Sequence, residues 1–84
     1  MKNIVDLSKK EELYNIIDNM NININNETKK RIENYRYADT TEIRIGVDTI
    51  ELHTNYVDGQ KQYLKIMKDG SCTNIRHKIE NIYM

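Results

Sequence analysis

Residues 41 to 68 read TEIRIGVDTIELHTNYVDGQKQYLKIMK, and the fold turns on how this stretch is phased. Ile43 and Ile45 alternate with Glu42 and Arg44. The parity then changes, and Ile50 and Leu52 alternate with Glu51 and His53, the period of two expected of half-buried strands. A four-residue connection, Gly46-Val47-Asp48-Thr49, absorbs the change. It sets Ile45 opposite Ile50 and Ile43 opposite Leu52, so that both apolar pairs share one face. At the next turn a two-residue loop, Asp58-Gly59, would oppose Leu52 to Lys65. A three-residue loop, Val57-Asp58-Gly59, with Gly in the left-handed position of a G1 bulge, opposes Leu52 to Leu64 and Ile50 to Ile66. Burial selects the second register. The stretch is therefore expected to form a three-stranded antiparallel meander with inner rows Ile45/Ile50/Ile66 and Ile43/Leu52/Leu64.

Ser8-Lys9-Lys10-Glu11 upstream has capping-box spacing, which starts a first helix at Ser8. Leu13, Ile16, Ile17 and Met20 recur at i, i+3, i+4 and i+7 and give it one apolar stripe, ending near Asn19 to Asn21. Asn25 or Asn26 is positioned to cap a second helix through Thr28, Ile32 and Tyr35 to about Tyr37. Downstream, Asp69-Gly70 ends the third strand. Ser71 or Thr73 is then expected to cap a last helix carrying Cys72, Ile75, Ile79, Ile82 and Tyr83 on one side. A short strand at Asn3 to Val5 would extend an edge. The expected fold is α+β in the order ααβββα, with two N-terminal helices, a three-stranded meander and a C-terminal helix packed on one face of the sheet.

A chain of 84 residues is expected to make one domain, residues 1–84. Its 13 basic and 13 acidic residues cancel, and they do so within each half as well. No strong field results, which argues against a protein built chiefly to coat a nucleic-acid backbone. Ile, Asn and Lys supply 33 of the residues without Pro or Trp, the residue usage of an AT-rich genome. One cysteine excludes an intrachain disulfide and multi-thiolate metal centres. With no apolar run of signal or membrane-spanning length, a cytoplasmic location is expected, in the host if the chain is encoded by a mobile element.

The same register defines the outward rows of the sheet, Arg44/Glu51/Lys65 and Glu42/His53/Tyr63. Opposite charges alternating over a wet sheet are common and need no further purpose. Tyr63, flanked by His53, Lys61, Lys65 and, as a further candidate, Met67, with Arg44 on the same face, nonetheless has the composition of an interface centre, because aromatic and long basic side chains cover area while keeping polar tips satisfied. Catalysis finds no support. His53 is expected on an open face where nothing excludes water. Cys72 and His77 would point to different sides of a helix, about 140° apart at 100° per residue. Neither histidine has ligand-like spacing, no calcium-loop or glycine-rich nucleotide pattern occurs, and no metal or cofactor is expected.

The order helix, three-stranded meander, helix resembles the double-stranded RNA-binding domain over about Ser8 to Met84. That resemblance implies nucleic-acid binding as the alternative function, for which the scattered cations Lys68, Arg76 and Lys78 are the candidates, although no RNA-contacting residue of the family carries over. The family's Lys-rich entry to that helix is replaced here by the uncharged Ser71-Cys72-Thr73-Asn74, and an extra helix surrounds Ile32. The leading expectation is a small non-enzymatic protein-binding module, such as a bacteriophage or other mobile-element inhibitor or regulator of a host protein or defence system. Its partner is a protein, a homodimer is a further expectation, nucleic acid ranks behind both, and a membrane is excluded.

Overall fold

A computed structural model describes the backbone of residues 6–77 and the side chains of residues 6–73. Helices α1 (Leu7–Asn19) and α2 (Asn26–Asn34) precede strands β1 (Glu42–Ile45), β2 (Thr49–Asn55), β3 (Lys61–Met67) and β4 (Cys72–His77). The strands form one antiparallel sheet in the order β1-β2-β3-β4. Leu13, Ile17, Ile22 and Ile32 pack against Ile50, Leu52, Leu64 and Ile66, which places both helices on one face of it.

The meander has the expected register. Ile43 pairs with Leu52 and Ile45 with Ile50. Leu52 pairs with Leu64 and Ile50 with Ile66. Gly59 takes the left-handed conformation at φ 88°, and Tyr56 both accepts from Gly59 N and donates to Gln60 O. This is the G1 bulge that the register required. Ile45 departs from expectation: it is 60% exposed, since the helices supply their buried side chains over β2 and β3 and leave this end of the short β1 uncovered.

The expected C-terminal helix is replaced by β4, so the described order is ααββββ and the topological likeness to the double-stranded RNA-binding domain is lost. The physical reason is a second turn of the same chemistry. Gly70 lies at φ 92°, Met67 N donates to Ser71 O and Gly70 N to Met67 O, and Asp69 accepts from Ser71 N as Asp58 does from Gln60 N. Such a turn sends the chain back along β3, whose outer backbone groups would otherwise lack partners. Cys72 then pairs with Ile66 and packs, half-buried, against the core. Asn3 to Val5, Lys78, Ile79, Ile82 and Tyr83 lie outside the described residues.

The helix ends are also more specific than their sequence suggests. Asp6, not Ser8, caps α1 by accepting from Ser8 N at 3.1 Å. Asn21 at φ 57° ends it: Asn21 N donates to Asp18 O and Ile22 N to Ile17 O, the paired bonds of a Schellman motif. Asn25 caps α2 by accepting from Thr28 N at 2.8 Å. Helix α2 stops at Asn34 instead of reaching Tyr37, because Tyr35 turns extended (ψ 140°) and Tyr35 and Tyr37 bury on alternate positions around the exposed Arg36.

That extended segment meets the inner face where it becomes polar. Thr54 and Gln62 continue the inward parity of Leu52 and Leu64, so their polar groups need partners. Tyr35 Oη lies 2.7 Å from Thr54 Oγ1 and donates to Gln62 O at 3.1 Å; Thr41 Oγ1 lies 2.7 Å from Thr54 Oγ1 and accepts from Ala38 N. With the tyrosine proton given to Gln62, Thr54 donates to Tyr35 and Thr41 to Thr54. Gln62 Oε1 accepts from Arg36 N and from the Tyr56 hydroxyl. Among the described residues no buried side-chain nitrogen or oxygen lacks a partner.

Candidate functional site

With the helices on one face, the opposite face carries the outward residues of β1, β2 and β3. Across the strands, Arg44 pairs with Glu51 and Glu51 with Lys65; Glu42 pairs with His53 and His53 with Tyr63. The side chains, however, close their bonds along the strands. His53 Nε2 lies 2.8 Å from Glu51 Oε1, and Arg44 Nη2 lies 2.8 Å from Glu42 Oε1. Two residues apart in a strand is the same face, so these contacts cost no change of register.

His53 and Tyr63 meet edge to face, with ring centroids 4.7 Å apart and planes at 65°. The geometry suits a ring edge placed against a π face. Arg44, His53, Asn55, Lys61 and Tyr63 line an open hollow of about 400 Å³, to which Thr54 and Gln62 also contribute. Four of the five residues expected to form a docking surface thus surround one depression. Lys65 lies on the same face outside it.

Both carboxyls of this face are held low and its tyrosine is pushed up. The hydrogen bond from His53 holds the Glu51 carboxyl below the usual range, helped by the nearby charges of His53, Lys65 and Arg44. Arg44 does the same for Glu42. Tyr63 is pushed up, first by desolvation and then by the Glu51 charge. The arrangement is a braced aromatic pair with ionised carboxylates beside it, and it presents donors from Arg44 and Lys61 to whatever enters the hollow.

The alternative cationic set is not assembled in this way. Lys68 is exposed in the β3–β4 turn, whereas Arg76 pairs through its backbone with Gln62 toward the other end of that hairpin, and Lys78 falls outside the described residues. Tyr56 is buried, with the Arg36 guanidinium 4.8 Å from its ring centroid, and is not presented for stacking. No group of three or more metal-ligating side chains occurs among the described residues. Nor is any helix among them long and apolar enough to cross a membrane. Compared with protein-family models, curated proteins and solved structures, the chain matches none.

The residues missed from sequence are the buried polar cluster of Tyr35, Thr41, Thr54 and Gln62. Parity carries the signal for two of them: a Thr and a Gln at inward positions call for hydroxyl or amide partners, which Tyr35 and Thr41 supply to Thr54.

Proposed function

We propose that this chain is a small non-enzymatic protein-binding module that docks a protein partner on the outer face of its sheet. The observation that carries the reading is the His53–Tyr63 pair, braced by Glu51 and set in the wall of the hollow that Arg44 and Lys61 border. A rigid aromatic contributes contact area at small entropic cost, and basic groups at its rim supply orientation. Mixed charge on the same face disfavours a phosphate backbone, which would meet Glu42 and Glu51. Within this class, an inhibitor or regulator carried by a mobile element and acting in the host cytoplasm is the form we favour, from size and residue usage.

The test is capture from the native host with the wild type and with Tyr63→Ala/Lys65→Ala as baits, each with and without nuclease. The expected result is a nuclease-resistant protein partner whose affinity falls about tenfold or more in the double variant, with little salt dependence. Retention of the partner by the double variant would place the docking surface elsewhere. A partner lost on nuclease treatment would instead support nucleic-acid binding.

A further inference from the structure

The edge of the sheet at β1 carries a second surface. Gly46 N donates to Thr49 O at 2.8 Å, so Gly46 and Thr49 are a hydrogen-bonded pair of the antiparallel ladder. Bonded and non-bonded pairs alternate along such a ladder. Arg44:Glu51 and Glu42:His53 are therefore bonded, and Ile43 and Ile45 turn their own N–H and C=O groups away from β2. Among the described residues no strand lies on that side. Beside the edge runs an open hollow of about 370 Å³ lined by Lys9, Glu12, Thr41, Glu42, Ile43 and Arg44. Ile45 and Val47, which follow Arg44 along the chain, are 60% and 90% exposed.

We infer that this edge pairs antiparallel with the β1 edge of a second copy of the chain, forming a two-fold dimer with a continuous eight-stranded sheet. Only residues whose backbone groups point outward can bond across the axis, so the registers available centre on Ile43 against Ile43, on Ile43 against Ile45, or on Ile45 against Ile45. The second sets Arg44 against Arg44. The third sets Arg44 against Gly46 and Glu42 against Asp48. The first alone sets Glu42 against Arg44 twice, once on each side of the axis, and gathers two carboxylates and two guanidiniums into an alternating row on the outer face. Opposite charges directly across strands favour a register and like charges oppose it. The Glu42–Arg44 contact at 2.8 Å within one strand already brings both groups together on that face. Arg44 serves both surfaces, but the dimer is read by self-association and by Glu42, and the docking surface by Tyr63 and Lys65, so either can fail alone.

Sedimentation equilibrium from micromolar to millimolar protein tests the pairing, with Glu42→Arg, Arg44→Glu and the exchanged pair Glu42→Arg/Arg44→Glu beside the wild type. The expected mass rises from 10.0 kDa toward twice that value. Each single variant should weaken dimerisation about tenfold, and the exchange should restore it, because self-complementarity survives when both signs are reversed. Both side chains are well exposed, and far-ultraviolet circular dichroism checks that the variants fold. Independently of any variant, hydrogen exchange at the Ile43 and Ile45 amides of the wild type should slow as concentration rises. A monomer at every concentration, exchange at those amides that ignores concentration, or an exchanged pair no better than the single variants would each overturn the inference.

Discussion

Gly70→Ala should be far more damaging than Gly59→Ala, although the two glycines occupy the same position of the same turn. Both lie at positive φ, 92° and 88°, where an alanine costs about 1 kcal/mol in backbone strain. Gly59 is part-exposed and carries that cost. Gly70 is buried beneath the α1–α2 linker, and a Cβ there would sit 2.0 Å from Asn23 O and 2.9 Å from Asn23 C. The linker must move to admit it. Its movement breaks or strains two bonds to Gly70 O, from Asn25 N at 3.0 Å and from the Thr28 hydroxyl at 2.6 Å. At about 0.5 to 1.5 kcal/mol each, these losses bring Gly70→Ala to about 2 to 4 kcal/mol. Urea unfolding followed by circular dichroism gives both values, and a difference of about 2 kcal/mol separates the midpoints by about 1 M or more in a domain of this size. If Gly70→Ala does not fold, the comparison is made in a stabilising osmolyte. Equal losses at the two glycines would refute the docking of the linker on the β3–β4 turn.

Leu52→Asp places a charge among Leu64, Ile50 and the helix side chains and should cost several kcal/mol, whereas Glu51→Gln, on the solvent-screened face, should lower the melting temperature far less; similar melting temperatures would mean the faces are reversed. Native Cys72, half-buried against the core, should react with a thiol reagent more slowly than in denaturant, and equal rates would exclude its packing there. Stability should be lost at both ends of the pH range. Glu33 is lowered from 4.5 by the hydrogen bond from Tyr14 and then by Lys10, and Glu51 is lowered by His53, so their contributions are present above about pH 4.5 and vanish as pH falls through the depressed values. Tyr14 is raised from 10.0 to about 12 by burial and then by Glu33, and burial raises Tyr35 and Tyr37 as well, so stability is kept below pH 10 and lost as pH rises toward 12 and beyond. Tyr14→Phe should flatten part of both limbs in a plot of melting temperature against pH, and an unchanged plot would dissociate Tyr14 from Glu33.

The meander was legible because its apolar residues alternate strictly and only one turn length keeps them on one face. The strand after it was not, because Cys72, Ile75, Ile79 and Ile82 are spaced by three, four and three residues, which mimics a helix. Ile75 in fact pairs through its backbone with Tyr63. The better signal is chemical: Lys68-Asp69-Gly70-Ser71 repeats Val57-Asp58-Gly59-Gln60, the hairpin turn eleven residues earlier. Tyr35 and Tyr37 alternate about Arg36 as an extended segment does, but two positions do not outweigh the helical spacing of Thr28, Ile32 and Tyr35. On the outer face, parity identified which residues meet solvent. That Glu51 takes His53 along its own strand, leaving Lys65 and Arg44 at its flanks, depends on side-chain rotamers that no spacing encodes.

The bond from Thr28 to Gly70 joins residues 42 apart in the chain, and it has a consequence for the order in which the molecule assembles. The three hairpins close over loops of a few residues, which takes on the order of microseconds, while clasping the linker onto the last turn must await a long loop closure. Synthesis runs in the opposite direction. The helical segments leave the ribosome first, with Leu13, Ile17 and Ile32 unmatched until Leu64 and Ile66 emerge. A hydrogen-exchange pulse early in refolding should therefore protect the amides of β2 and β3 before those of α2, and the nascent chain must keep its first half soluble with no core of its own, a task suited to the Lys, Glu and Asn residues that crowd it.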